Sequence, residues 1–217
     1  GWAGAFNQVV KTTNAGQNWE LFSTVTTGWS GTLNSLYFFN KDTGLAAGGG
    51  AYRIQRTTNG GINWSIIYQE SSSIYGFLSM IFVNDTIGYV AGSRGKIRKT
   101  TNAGINWLPI ESGTNTELMC ISNFGVNNLM VCGENGLILK STNACNTWLP
   151  YNPERNFDLL SIDYLSAGSI YTGGSLGYLL RSTNSGNNWV ELSGGYFSDI
   201  HGLSFPNSLT GFAIGTG

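Results

Sequence analysis

KTTNAGINW, residues Lys99 to Trp107, decides how this chain reads, because the same segment returns four more times. It stands as KTTNAGQNW from Lys11, RTTNGGINW from Arg56, KSTNACNTW from Lys140 and RSTNSGNNW from Arg181. The closing tryptophans Trp19, Trp64, Trp107, Trp148 and Trp189 are spaced 45, 43, 41 and 41 residues apart. A period near forty residues is that of a four-stranded antiparallel blade, which typically takes ~40–50 residues. The segment also has the chemistry of a tight turn. Asn14, Asn59, Asn102, Asn143 and Asn184 are placed to bond backbone amides two residues on, and the glycine that follows supplies a positive φ. Cys145 replaces that glycine in the fourth copy, which implies either a strained turn or a different loop. Each tryptophan is expected to cover its hairpin and fill the groove to a neighbouring sheet.

Outward from the segment, each repeat supplies further strands. A first strand reads SLYFF from Ser35, SMIFV from Ser79, CISNF from Cys120, SIDYL from Ser161 and GLSF from Gly202. Turns follow at Asn40–Thr43, Asn84–Ile87 and Pro206–Thr210. The second strand ends in a small residue and glycine, as in Ala47-Gly48, Ala91-Gly92 and Cys132-Gly133, which crowding near a propeller axis would demand. The third strand carries the cation, and the outer fourth strand the indole. No stretch has the i, i+3, i+4, i+7 pattern of an amphipathic helix. The fold class is therefore all-β: a β-propeller of four-stranded antiparallel blades with about five repeats, either a closed five-bladed ring or a segment of a larger propeller. As one domain over 1–217, its repeats run about 1–43, 44–87, 88–128, 129–169 and 170–210, with 211–217 duplicating a second strand. Ring closure would pair Gly202–Phe205 with Gly1–Phe6. A third arrangement donates the duplicated strand to a neighbouring chain.

Composition bounds the function. The 217 residues contain 31 glycines and only 11% charged residues, with a formal net charge of −1. There is no global basic field for nucleic acid and no apolar run near the ~18 residues of a spanning helix. Three cysteines without a CxxC exclude a zinc knuckle and a disulfide scaffold. The composition points outside the cytoplasm: secreted, periplasmic or cell-surface. The chain starts at Gly1 rather than Met, so the natural N-terminus is expected upstream.

The five segments resemble the Asp-box, or bacterial neuraminidase repeat, with asparagine where aspartate is usual. With the preceding K/R-T/S-T and the upstream G-W-A-G or G-Y-V-A-G, the chain is most similar to the photosystem II stability and assembly factor-like family of bacterial propellers. That resemblance implies a non-catalytic scaffold that binds a partner protein, in rings usually of seven blades, and related assembly factors use an arginine-rich patch.

The candidate sites follow. Lys11, Arg56, Lys99, Lys140 and Arg181 precede every box, forming either a basic ring for an acidic partner or anionic glycan, or cations whose stems pack between blades. Arg53, Arg94, Lys96 and Arg98 add a local positive patch, as a solvated face or a docking site. Glycoside hydrolysis needs two carboxylates about 5–9.5 Å apart across a cleft, and none of Glu117, Glu134, Asp158 or Asp163 stands in such a setting. Cys120 and Cys132 fall on adjacent strands, as free thiols or a bridge. His201 has no partner for metal or catalysis. Trp29, Tyr75, Tyr151, Tyr196 and Phe197 are loop aromatics able to stack on sugar. The reading is a protein-binding scaffold with no cofactor, metal, nucleic acid or membrane insertion. The alternatives are a carbohydrate-binding propeller with between-blade pockets lined by Trp or Tyr and Asn, or a fragment of an Asp-box glycoside hydrolase.

Overall fold

The computed structural model describes residues 1–5, 8–24, 32–70, 75–151, 157–192, 198–207 and 209–216. Trp29, Tyr196 and Phe197 lie outside these residues. Among the described residues every regular element is a strand or a single 3-10 turn. A first sheet holds β1 (Trp2–Ala5), β2 (Gln8–Lys11) and β3 (Glu20–Thr24). A second holds β4 (Leu33–Phe38), β5 (Gly44–Gly48), β6 (Arg53–Thr57) and β7 (Ser65–Tyr68). The third is β8 (Phe77–Phe82), β9 (Gly88–Gly92), β10 (Ile97–Thr100) and β11 (Leu108–Ile110). The fourth is β12 (Leu118–Phe124), β13 (Asn128–Gly133), β14 (Ile138–Ser141) and β15 (Leu149–Tyr151). The fifth is β16 (Leu159–Tyr164), β17 (Ile170–Gly174), β18 (Leu179–Ser182) and β19 (Val190–Glu191). The last pairs β20 (Ile200–Ser204) with β21 (Phe212–Gly215). Strands are adjacent in chain order throughout. The chain thus supplies strands two to four, four whole sheets, then strands one and two. β20 takes β21 as its partner. This differs from the ring-closing expectation, in which β20 pairs with β1 and residues 211–217 are surplus.

The residues group into two compact units. One is Gly1–Ser93 with Ile97–Pro109, carrying the first three sheets; the other is Arg94–Lys96 with Ile110–Gly217. Each unit packs its sheets face to face. In the first, Val9, Leu33, Ala46 and Trp64 form one apolar cluster. Leu45, Tyr52, Ile54, Phe77, Val90 and Trp107 form the next. In the second unit Met130, Cys132, Ile138, Leu159, Ile162, Ile170 and Leu180 do the same work. The second strands lie between their neighbours, and β5, β9 and β17 are buried along their whole length.

The recurrent turn is built around a hydroxyl rather than the asparagine alone. In the third sheet Thr100 Oγ1 donates to Asn102 Oδ1 (3.0 Å) and accepts from the amides of Asn102 (3.3 Å) and Gly104 (2.9 Å). Asn102 Oδ1 then accepts from the amide of Asn106 (2.9 Å). Thr12, Thr57, Ser141 and Ser182 repeat the arrangement with Asn14, Asn59, Asn143 and Asn184. The asparagine therefore reaches the amide four residues on, not two. The chain crosses the left-handed region twice in succession there, at Ala103 (φ 56°) and Gly104 (φ 81°) for example. Cys145 (φ 67°) keeps the same hydrogen bonds, so the fourth turn is the common loop with a strained residue, at a cost on the order of 1 kcal/mol.

Each indole stands one residue before the fourth strand rather than within it. Trp64 and Trp107 are only 7% exposed, in the clusters that join their sheets to the one before. Trp19, in the first sheet, is 47% exposed.

The glycine that ends the second strand in the five sheets after the first has a local cause within the sheet. The first strand carries a β-bulge just past its opening residue, at Leu33/Ser35, Phe77/Ser79, Leu118/Cys120, Leu159/Ser161 and Ile200/Gly202. Opposite that opening residue stand Gly48, Gly92, Gly133, Gly174 and Gly215. A Cβ on Gly133, Gly174 or Gly215 would lie well under 3.0 Å from the carbonyl oxygen of Glu117, Asp158 or Asp199. Room at the bulge requires glycine at these positions.

Candidate functional site

The third-strand cations are held by their own sheets. Lys11, Lys99 and Arg181 lie over the rings of Trp2, Tyr89 and Tyr171, at 5.3, 5.4 and 5.5 Å from the centroids. Each ring belongs to the residue directly opposite in the neighbouring strand, so sheet register makes the pair. Arg56 and Lys140 reach the next sheet's turn instead. Arg56 Nη1 donates to the Ala103 carbonyl (2.6 Å), and Lys140 Nζ to Asn187 Oδ1 (2.8 Å). Arg181 remains exposed, and Lys11, Arg56, Lys99 and Lys140 are half-buried.

Beside them is a further feature of the fourth strands. The fourth strands expose Leu21, Ile66, Leu108, Leu149 and Val190, with 47–66% of each residue in solvent. Leu149 and Val190 lie directly opposite Lys140 and Arg181. The signal was present as an apolar residue one or two positions after each tryptophan.

The other candidates separate. Arg53 is buried at 7% exposure. Arg98 donates through Nε to Tyr68 Oη (2.8 Å) and pairs through Nη2 with Glu70 Oε1, which also accepts from Tyr68. Those two cations are therefore not presented to a partner. Arg94 is exposed at a left-handed turn position (φ 55°), and Lys96 is half-buried. Three of the four candidate carboxylates accept from backbone amides. Asp158 Oδ1 accepts from Asn135 (3.0 Å), Asp163 Oδ2 from Phe205 (2.8 Å) and Glu134 Oε2 from Glu117 (3.3 Å). Asp199 Oδ1 accepts from Leu176 (3.0 Å), repeating the Asp158 contact one sheet later.

Cys120 and Cys132 face each other directly across β12 and β13 as free thiols, and Cys145 is also free. Burial, and then the neighbouring Cys120, push the Cys132 thiol well above its ordinary range. His201 is exposed on β20, and no group of three metal-ligating side chains occurs among the described residues. Tyr75 and Tyr151 pack against apolar clusters.

Two grooves run between adjacent sheets. In the first unit a groove of about 490 Å³ is lined by Ile67, Tyr68, Asn102, Ile105, Trp107 and Leu108, with Thr101 and Asn106. In the second, one of about 320 Å³ is lined by Asn128, Lys140, Ser141, Tyr164, Ser185 and Asn187, with Thr142 and Ala167. Burial raises the Tyr164 phenol above the ordinary 10. A raised folded-state value means stability fully present below about pH 10 and lost as pH climbs above it. Denaturant titrations should accordingly weaken above that pH, and Tyr164→Phe, which keeps the ring stacked on Phe124, should blunt the loss.

No family model matches the chain, and no curated protein matches it. Solved structures do. YCF48 bound to D1 peptide is 20% identical with a TM-score of 0.55, covering 99% of this chain and 86% of that one. YCF48 from Cyanidioschyzon merolae is 15% identical with a TM-score of 0.54, covering 99% and 88%. The GH74 enzyme of Niastella koreensis is 17% identical with a TM-score of 0.67, over 85% of this chain but 34% of that one. At such identities the likeness speaks for architecture alone. The chain is a β-propeller fold of four-stranded antiparallel blades.

Proposed function

We propose that this chain is a non-catalytic propeller that binds another protein, in the manner of the photosystem II assembly factor-like scaffolds, with all six sheets belonging to one domain and working outside the cytoplasm. The observation that carries the reading is the pair of exposed aliphatic residues Leu149 and Val190 in the second unit, each on a fourth strand directly opposite a cation. Large apolar side chains left in water at the matching positions Leu149 and Val190 of two successive sheets favour contact with a partner. The adjoining Lys140 and Arg181 select an acidic one. Further support comes from a neighbour of nearly the same length having been solved with a peptide bound.

An array of acidic, leucine-containing decapeptides tests this. Binding should weaken with salt and fall at least about tenfold in Lys140→Glu/Arg181→Glu and in Leu149→Asp/Val190→Asp. Binding indifferent to both changes, or hydrolysis of any member of a glycoside panel, would overturn the reading. A second reading rests on the groove of the second unit, whose hydroxyls, amides and single tyrosine suit a neutral sugar. Saturable oligosaccharide binding lost in Asn128→Ala would favour it.

A further inference from the structure

Unlike the groove of the second unit, which includes Lys140, the groove of the first unit is lined without one charged side chain. Its rim carries Ile105 and Leu108, 57% and 65% exposed. Neither is required by the fold. The position of Ile105 is held by Gln17, Asn146 and Asn187 in other turns, and each closes the same backbone bond, to Asn14, Asn143 and Asn184 as Ile105 does to Asn102. The position of Leu108, directly after the tryptophan, is held by Glu20 and Ser65 in the first two sheets. Two aliphatic side chains thus stand in water where polar residues serve the local structure equally well.

The rest of the groove is preorganised. Tyr68 has its hydroxyl fixed by Glu70 and Arg98, so its ring is held in one place. Trp107 donates its Nε1–H to the Gly104 carbonyl (3.0 Å) and forms the buried floor. Asn102 Oδ1 is taken by the turn, whereas its Nδ2 and the side-chain amide of Asn106 make no hydrogen bond among the described residues.

Resting on the protein-binding reading, we infer that this groove takes an uncharged, extended peptide segment that inserts one large apolar side chain between Ile105, Leu108 and Tyr68. The two free amides would meet its main-chain groups. The occupant is a peptide rather than a sugar because the most exposed side chains of the rim, Ile105 and Leu108, are aliphatic, and the one indole lies beneath them with its N–H already used. It is an uncharged segment because a carboxylate or ammonium would lose its hydration with no counter-charge in the lining.

The test measures binding of fluorescent, uncharged decapeptides, each with a single central Leu, Phe or Trp, to the full chain. Ile105→Asn copies the natural fourth and fifth turns and Leu108→Ser the second sheet, so both should fold, as melting curves would verify. A Leu- or Phe-centred peptide should bind and lose at least about tenfold in either variant, while acidic-peptide binding at Lys140 and Arg181 stays unchanged. Uncharged-peptide binding that survives both substitutions, or displacement by cellohexaose, overturns the groove assignment. Loss of the acidic-peptide signal in the wild-type chain is the separate failure of the protein-binding reading.

Discussion

Gly174→Ala is expected to destabilise the second unit by about 3–5 kcal/mol, enough to leave much of the protein unfolded at moderate temperature. The new methyl would fall on the Asp158 carbonyl oxygen, the Asp158 carbonyl carbon and the Leu159 Cα, all backbone atoms. No side chain can move aside to relieve it. The bulge in β16 would have to open, and the bond from the Ser175 amide to the Asp158 carbonyl (2.8 Å) would go with it. Two other glycines supply the comparison. At Gly113 the φ is +78° but nothing lies within 4 Å, so alanine should cost only about 1 kcal/mol. At Gly168 the nearest atom is the Thr183 carbonyl oxygen at 3.5 Å and φ is not positive, so alanine should be neutral or stabilise by about 0.4–1 kcal/mol. Chemical denaturation of the three variants separates collision from conformational strain. An alanine at 174 as mild as that at 113 would refute the bulge explanation.

Removing one box hydroxyl comes next in size. Thr100→Val keeps the shape of the side chain and deletes an oxygen that is almost wholly buried. The amides of Asn102 and Gly104 lose their acceptor, and Asn102 Oδ1 loses a donor. Buried donors left without partners cost about 1–3 kcal/mol each, so the variant should lose about 2–4 kcal/mol. For a chain of this size that corresponds to a fall in Tm of roughly 5–15 °C. Thr100→Ser should cost under about 1 kcal/mol, since Ser141 and Ser182 already make these bonds. Equal melting of the valine and serine variants would show that the hydroxyl is not what holds the turn.

The five boxes made the sheet period readable before any coordinates, because a turn that needs a hydroxyl, an asparagine and left-handed backbone leaves few residue choices. The asparagines at Asn40, Asn84 and Asn207 were legible for the same reason, and each accepts two backbone amides in the turn after a first strand. The bulge was not legible. It is defined by where two strands fall out of step, and its trace in the sequence is one glycine that several other causes could also place. The surface resisted for a related reason. Arg53 and Arg98 look like exposed cations in a list of residues, yet one is buried and the other meets Glu70 and Tyr68 from a different repeat, 28 and 30 positions away. The fourth-strand aliphatics escaped notice because singly exposed apolar residues are ordinary; only their recurrence directly after the tryptophan, as Leu108, Leu149 and Val190, gives them weight.

The side on which the indoles pack has a consequence for biogenesis. In the first unit Trp64 and Trp107 each cover the sheet synthesised before their own, and in the second the carboxylates of Asp158 and Asp199 secure a turn that precedes them in the chain. A newly made repeat therefore stays unfinished until the next one leaves the ribosome. Maturation should proceed from the N-terminal side, with a wet apolar front travelling along the nascent polypeptide and calling for chaperone cover at its leading edge.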